Sequence, residues 1–366
     1  MRRQVAGIYW GSIWTVMISL MGCSTIGLAD GDEQTSHVLD LPNLPGMPEL
    51  PNIPDLPSVQ TPKLPKISTP TLGGSQFWSD QHFFHQWRIQ RRANSDEYRL
   101  VDSREWQHAA GSFDDCLAKL EEIKREKNLE PMQGTAVVLL HGLAAPRWSM
   151  GLLGRHLRKQ AGYEVFNVVY ASTRLSVDDH ARSLANVIES LEGIDRIQMV
   201  GHSLGNVVIR RYLGGDAGPE NGWNPDPRVD RIVMIAPPNH GSRTATKWSD
   251  KGLFKTLFGQ SGRQLGLDWE EVEKNLATPR TQFGIIAGGR SNEKGFSQRL
   301  PGDDDGRITV ATTRLVGATD FVVVPALHEF IANDPRVFDY ALHFLEEGCF
   351  ISPQERKPIE PAVVAG

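Results

Sequence analysis

Ser203 stands at the centre of Gly-His-Ser-Leu-Gly, residues 201–205, after an apolar run and before a helical stretch. A serine hydroxyl is a weak nucleophile until a base takes its proton, and a sharp strand-to-helix turn is one way of presenting it to such a base. The turn forces the serine backbone into a strained geometry, so Gly201 and Gly205 leave free the space that a β-carbon would fill. The first amides of the following helix point to the same spot, with the positive end of the helix dipole beside any oxyanion formed there. The five-letter pattern also occurs by chance, so its surroundings must supply the partners.

A turn of this kind has to be carried by a sheet. The apolar run Ala136-Val-Val-Leu-Leu140 ends at His141-Gly142, and similar runs recur at 165–169, 197–200, 232–236 and 283–287. Runs buried on both faces are what a parallel sheet requires. Between them, Ser176 and Asp179 cap a helix with Val177, Ala181, Leu184, Ile188 and Leu191 on its buried stripe. Ser112 and Asp115 open another, with Phe113, Cys116, Leu117, Leu120 and Ile123 at helical spacing. Asp334-Pro335 announces the last, with Val337, Phe338, Ala341, Leu342 and Leu345 facing inward. This alternation predicts a mostly parallel, doubly wound α/β sheet with helices on both faces.

Other segments frame that core. An aromatic stretch (Phe77, Trp78, Phe83, Phe84, Trp87) and strand-like segments at 88–92 and 98–101 predict an N-terminal hairpin or edge extension. The interval 239–275 is long for a strand-to-helix link. It holds Trp248, Leu253, Phe254, Leu257 and Phe258 near helical spacing, which predicts a small cap insertion, either over an acyl pocket or packed on the core. The tail at 351–366 contains prolines and no apolar stripe, and is expected to be disordered or loosely packed.

Leu139-Leu-His-Gly-Leu143, placed upstream of Gly-His-Ser-Leu-Gly, resembles the pairing found in α/β-hydrolases of the lipase and esterase kind, and the likeness covers 135–345. Ala236-Pro-Pro-Asn-His-Gly-Ser242 resembles the loop after the next strand in such lipases. The resemblance implies the α/β-hydrolase fold and partners in the order Ser, Asp, His. Asp305, the last carboxylate of Asp303-Asp-Asp-Gly306 before a strand-like Ile308-Thr-Val310, matches the acid position. Asp320 is the reserve, and the other two acids are expected to do no more than solvate the loop.

His328, after the strand-like Val322-Val-Val324 and before the last helix, matches the histidine loop of the family. His343 lies inside a helix, His240 precedes the acid, and His202, beside the nucleophile, is expected to aim its ring away from the hydroxyl. The resemblance also implies oxyanion amides from Leu143 and Leu204, with His141 holding the first of these loops. The implied activity is hydrolysis of a small-molecule or lipid carboxylic ester through an acyl-enzyme, with no cofactor. No Cys or His spacing resembles a zinc site. Acyl transfer to another acceptor, and phospholipid, thioester or amide cleavage, use the same residues. A non-catalytic lipoprotein that binds an envelope component is the remaining alternative.

The N-terminal quarter is of a different kind. Arg2 and Arg3 precede an apolar stretch at 5–21, which resembles a secretory signal, and Leu20-Met-Gly-Cys23 resembles the lipobox of bacterial lipoproteins. That likeness implies a signal over 1–23, a lipid on Cys23, and, from Ser24, sorting to the outer membrane. An uncleaved anchor is the alternative, and either one tethers the chain in the cell envelope, outside the cytoplasm. Pro42, Pro45, Pro48, Pro51, Pro54 and Pro57 recur at every third residue, the period of polyproline II, so 24–75 is expected to be a stiff spacer ahead of a globular part at 76–350. A docking peptide for a proline-binding partner is the competing reading.

Cys116 and Cys349 are either bridged or buried separately. With a net charge of −5 and no long block of Lys or Arg, the chain offers nucleic acid or an anionic membrane surface little to hold, and these partners are set aside.

Overall fold

The computed structural model describes residues 69–70, 76–216, 222–241 and 259–361, which lie in the unit Lys63–Gly366. The expected signal, Cys23, the prolines at 42–65 and the cap residues from Trp248 to Phe258 lie outside the described residues.

An antiparallel sheet comes first in the chain. Its strands are β1 (Thr69–Pro70), β2 (Trp78–Phe84), β3 (Trp87–Arg92), β4 (Tyr98–Val101) and β5 (Trp106–Gly111), in the order β1-β5-β4-β3-β2. His85, Asn94 and Glu105 take positive φ in the turns between β2 and β5, as tight hairpin connections demand. The expected hairpin is thus a complete five-stranded sheet, and the end of the expected spacer already pairs with β5 through Thr69 and Pro70.

Apolar alternation hides this sheet because much of what it buries is polar. Arg88 is fully buried and donates to Asp80, which also accepts from Gln90 at 2.8 Å, while Arg99 donates to Gln90 at 2.9 Å. The second oxygen of Asp80 accepts from the Val169 amide at 2.7 Å, and the Asp80 amide donates back to the Val169 carbonyl at 2.9 Å. Buried carboxylate and guanidinium groups are tolerable only when paired in this way.

Six parallel strands follow: β6 (Gly134–Leu140), β7 (Glu164–Val168), β8 (Ile194–His202), β9 (Val229–Ile235), β10 (Gln282–Gly288) and β11 (Asp320–Val324), in the order β11-β10-β9-β8-β6-β7. Alternate residues of each strand enter opposite cores. Val138 and Leu140 join a cluster with α1 (Phe113–Glu126), α3 (Val177–Glu189) and α4 (Leu204–Leu213). Val137 and Leu139 join another with α2 (Gly151–Ala161) and α5 (Pro335–Glu347). The sheet is therefore doubly wound, and β8, which carries the serine, lies at its centre with apolar cover on both faces.

One expectation changes, and two sets of alternatives narrow. The strand-like run at 308–310 is no strand: Thr309 accepts from the Thr312 amide and caps a short helix, Val310–Thr313. The tail is ordered as far as residue 361 but mostly exposed, held where Ile359 is buried and exchanges backbone hydrogen bonds with Gly317 and Ala318. Cys116 and Cys349 are separate buried thiols.

Candidate active site

Ser203 ends β8 and begins α4 with φ 53° and ψ −120°, a backbone conformation that side-chain-bearing residues rarely adopt. A β-carbon on Gly201 would lie 2.4 Å from Asn206 Oδ1, and one on Gly205 would lie 2.4 Å from the Leu140 carbonyl. Both glycines are therefore required by contact. The Ser203 amide donates to the Ile235 carbonyl at 3.0 Å, and Asn206 Nδ2 donates to the same carbonyl at 3.0 Å and more weakly to that of Ser203 at 3.3 Å. The turn is thus pinned to β9 before any partner is considered.

The loops beyond β10 and β11 bring the partners. His328 Nε2 lies 2.9 Å from Ser203 Oγ, and His328 Nδ1 lies 2.6 Å from Asp305 Oδ2. With Nδ1–H donated to the carboxylate, the lone pair of Nε2 faces the hydroxyl. Asp305 is fully buried, and its other oxygen accepts from the amides of Arg307 and Ile308 at 2.9 and 2.7 Å. The His328 amide donates to the Asp305 carbonyl at 2.9 Å, which ties the two loops together. Ser203 and His328 keep 8% and 7% exposure.

The other sequence candidates have structural roles. Asp320 accepts from the amides of Phe321, Phe350 and Lys357, and so fastens the tail to β11. Asp303 accepts from Arg290 and Ser291, and Asp304 from Ser297 and Gly306. These two acids fold the loop that aims Asp305; the expectation that they merely solvate it is corrected. His240 is exposed beside Glu273, and His343 donates to the Cys349 carbonyl. His202 turns from the hydroxyl, as expected, but donates to the His328 carbonyl at 3.0 Å, so it braces the histidine loop. Burial, then the neighbouring His328, lowers its pKa to about 3, and the ring stays neutral.

Leu204 follows the serine directly, and Leu143 follows a glycine that packs on it. Leu204 opens α4, so its amide has no carbonyl within the helix to bond. Gly142, just before Leu143, packs on Ser203: a β-carbon built there would lie 3.2 Å from that of Ser203. Ala144, with φ 57°, donates to Ser172 Oγ at 3.0 Å and holds this loop. His141 donates to the Gly142 carbonyl at 2.8 Å and stacks on Tyr170, whose hydroxyl donates to the His141 carbonyl. Burial lowers the His141 pKa to about 4.

Sequence reasoning did not single out Ser172 or Asn206. A polar residue in the otherwise apolar first turn of α4 is the signal that could have found Asn206.

A doubly wound parallel sheet with a strained serine between its central strand and the next helix, and a histidine and a buried carboxylate on later loops, defines a hydrolase fold. The chain belongs to the alpha/beta hydrolase family, whose model it matches over residues 137–349. No curated protein matches it. Among solved structures it is similar to the lipase BlEst2 of Bacillus licheniformis in mature form, at 19% identity and a TM-score of 0.41 over 56% of this chain and 89% of that one. It is also similar to the product of gene lin2722 from Listeria innocua, at 16% and 0.41 over 63% and 98%. A third is the metagenomic carboxyl esterase MGS0156, at 18% and 0.42 over 54% and 65%.

Proposed function

We propose that the chain is a serine hydrolase that cleaves carboxylic esters through an acyl-enzyme. The observation that carries this reading is the hydrogen-bonded series from Ser203 through His328 to buried Asp305. His328 takes the hydroxyl proton as Ser203 Oγ bonds to the ester carbonyl carbon, and Asp305 stabilises the imidazolium and fixes its orientation. The amides of Leu143 and Leu204 hold the negative charge on the former carbonyl oxygen. His328 then gives its proton to the departing alcohol, leaving the acyl group on Ser203. A water, deprotonated by the same imidazole, attacks the acyl carbon and releases the acid.

A fluorophosphonate probe and a nitrophenyl ester test this directly. The wild-type chain is expected to be labelled and to turn over, and Ser203→Ala to do neither while keeping its circular dichroism. Unchanged turnover in that variant sinks the assignment. Product esters formed in the presence of a soluble alcohol would instead mark an acyltransferase built on the same residues.

The sequence at 1–23 further supports tethering in the cell envelope through a lipid on Cys23, with the proline repeat as a stiff spacer.

A further inference from the structure

The chain from the Gly142 loop into α2 presents a stripe that the chemistry above does not use. Trp148, in the 3-10 turn Arg147–Met150, is 76% exposed, and Leu152 one turn on is 45% exposed. Arg155 and Lys159 continue the line and are exposed as well. At 3.6 residues per turn, positions 152, 155 and 159 of α2 fall within about 60° of one another, and Trp148 precedes them in the 3-10 turn. Met150, Leu153 and Leu157, on the far side, are fully buried. Phe330, 64% exposed and two residues past His328, stands on the 3-10 turn at Ile331–Asn333, which packs against Arg147–Met150 and α2. Large apolar side chains therefore project from both loops that frame Ser203, and the basic ones lie behind them along the helix.

Around this stripe basic side chains outnumber acidic ones, and Glu329, next to Phe330, is paired with Arg307. A cleft of about 530 Å³ borders Trp148 and is lined by Arg147, Arg155 and Arg158 against one carboxylate, Glu105. Glu105 is held by Arg88 and by Arg147, the latter at 2.9 Å. On the other flank of α2, Asp339 lies 3.5 Å from His156. The stripe stands out against a chain whose net charge is −5.

We propose that this face docks on a bilayer containing anionic phospholipid. Trp148, Leu152 and Phe330 enter the boundary between headgroups and acyl chains, and Arg155, Arg158 and Lys159 lie against the phosphates. Tryptophan beside exposed aliphatic groups, with Arg and Lys next to them, is the pattern of an interfacial surface. A basic side chain near an anionic membrane contributes about 1 kcal/mol. Docked this way, the opening above Ser203 faces the lipid. The substrate is then an ester drawn from the membrane itself, a consequence that rests on the hydrolysis proposed above, whereas the docking does not.

The test reads insertion and needs no turnover. Full-length Ser203→Ala and the same chain with Trp148→Phe are mixed with vesicles of phosphatidylcholine, with or without phosphatidylglycerol, whose acyl chains carry bromine. Any quenching of the other tryptophans is common to both proteins, so the difference between them reports Trp148 alone. The expected result is extra quenching when Trp148 is present, with phosphatidylglycerol required. In Arg155→Ser/Lys159→Ser, the lipid concentration for half of that increment rises about thirtyfold.

Equal quenching of the two proteins overturns the docking face. An increment indifferent to phosphatidylglycerol and to the double variant overturns the role of the basic residues. A lipid-free dimer that Trp148→Ser dissociates assigns the face to a second copy and overturns the proposal. If the increment is found but wild-type protein is inert to esters and to the fluorophosphonate, docking stands and the hydrolytic reading falls.

Discussion

Acid is expected to unfold this protein at an unusually mild pH, because three histidines sit where a proton cannot follow them. Burial lowers His141 to about 4 and His180 and His202 to about 3, from 6.5. Below pH 6.5 the unfolded chain binds protons that the folded chain refuses, so stability falls as acid is added and goes on falling down to the folded values near 3 to 4. Above that range both states carry neutral rings and the contribution is flat. Each ring costs about 1.4 kcal/mol per pH unit once the unfolded state is protonated, or about 2 kcal/mol at pH 5. The three together amount to about 6 kcal/mol, against a total stability of about 5–15 kcal/mol for a typical domain. His82, lowered to about 4 chiefly by burial, is only half-buried and adds less.

Guanidinium unfolding of the full chain, followed by circular dichroism at a series of pH values from about 8 to about 5, measures the slope directly. His180 bonds Ser261 Oγ at 3.0 Å; His180→Gln keeps a polar group there and cannot titrate, so the slope is expected to drop by about a third. A stability that is level across this range, or a slope that His180→Gln leaves intact, refutes the argument.

Two further predictions concern the ends of the functional reading. Asp305→Asn keeps the shape of the site but offers His328 an amide, so the proton settles on the wrong ring nitrogen; a fall of about 10⁴ in kcat with an unchanged melting temperature is expected, and full activity would contradict the assigned role. Intact-mass analysis of protein purified from membranes of a bacterial host is expected to find Cys23 as the first residue with acyl chains attached, and Cys23→Ser to lose that mass; an unmodified Met1 start rules out the lipid anchor.

The parallel sheet was legible because its strands are apolar on both faces, and a run such as 136–140 has few other ways to satisfy itself. The antiparallel sheet was not, because Asp80, Arg88, Gln90 and Arg99 occupy buried positions where a reader of periodicity looks for Val or Leu. Their partners lie on neighbouring strands and across at Val169, so nothing within one segment announces that the charges will be paired. The ties that order the tail are hidden for a related reason. What holds it is Asp320 accepting two distant amides together with one buried isoleucine, a long-range tie with no apolar stripe to betray it.

At the site, the serine turn carries its own geometric demand, and the two glycines can be read directly as space for Asn206 and for the Leu140 carbonyl. Asp305 had to be chosen among three adjacent acids, and its expected support, a strand at 308–310, is instead a turn that bends the amides of Arg307 and Ile308 back onto its carboxylate. An acid that must aim one oxygen at a histidine benefits from such a turn, since two amides on the other oxygen fix the plane of the group. The stripe on α2 was obscured by the same dependence on folding. Trp148 lies in a 3-10 turn and Leu152 in the α-helix after it, so their common face exists only once that junction has formed. Arg155, Arg158 and Lys159 look like scattered charges in an acidic chain until the helix places them beside the apolar pair. A charge count along the sequence sets an anionic membrane aside on net charge alone, whereas the docking proposed above rests on which side chains share a face, a distribution that net charge averages away.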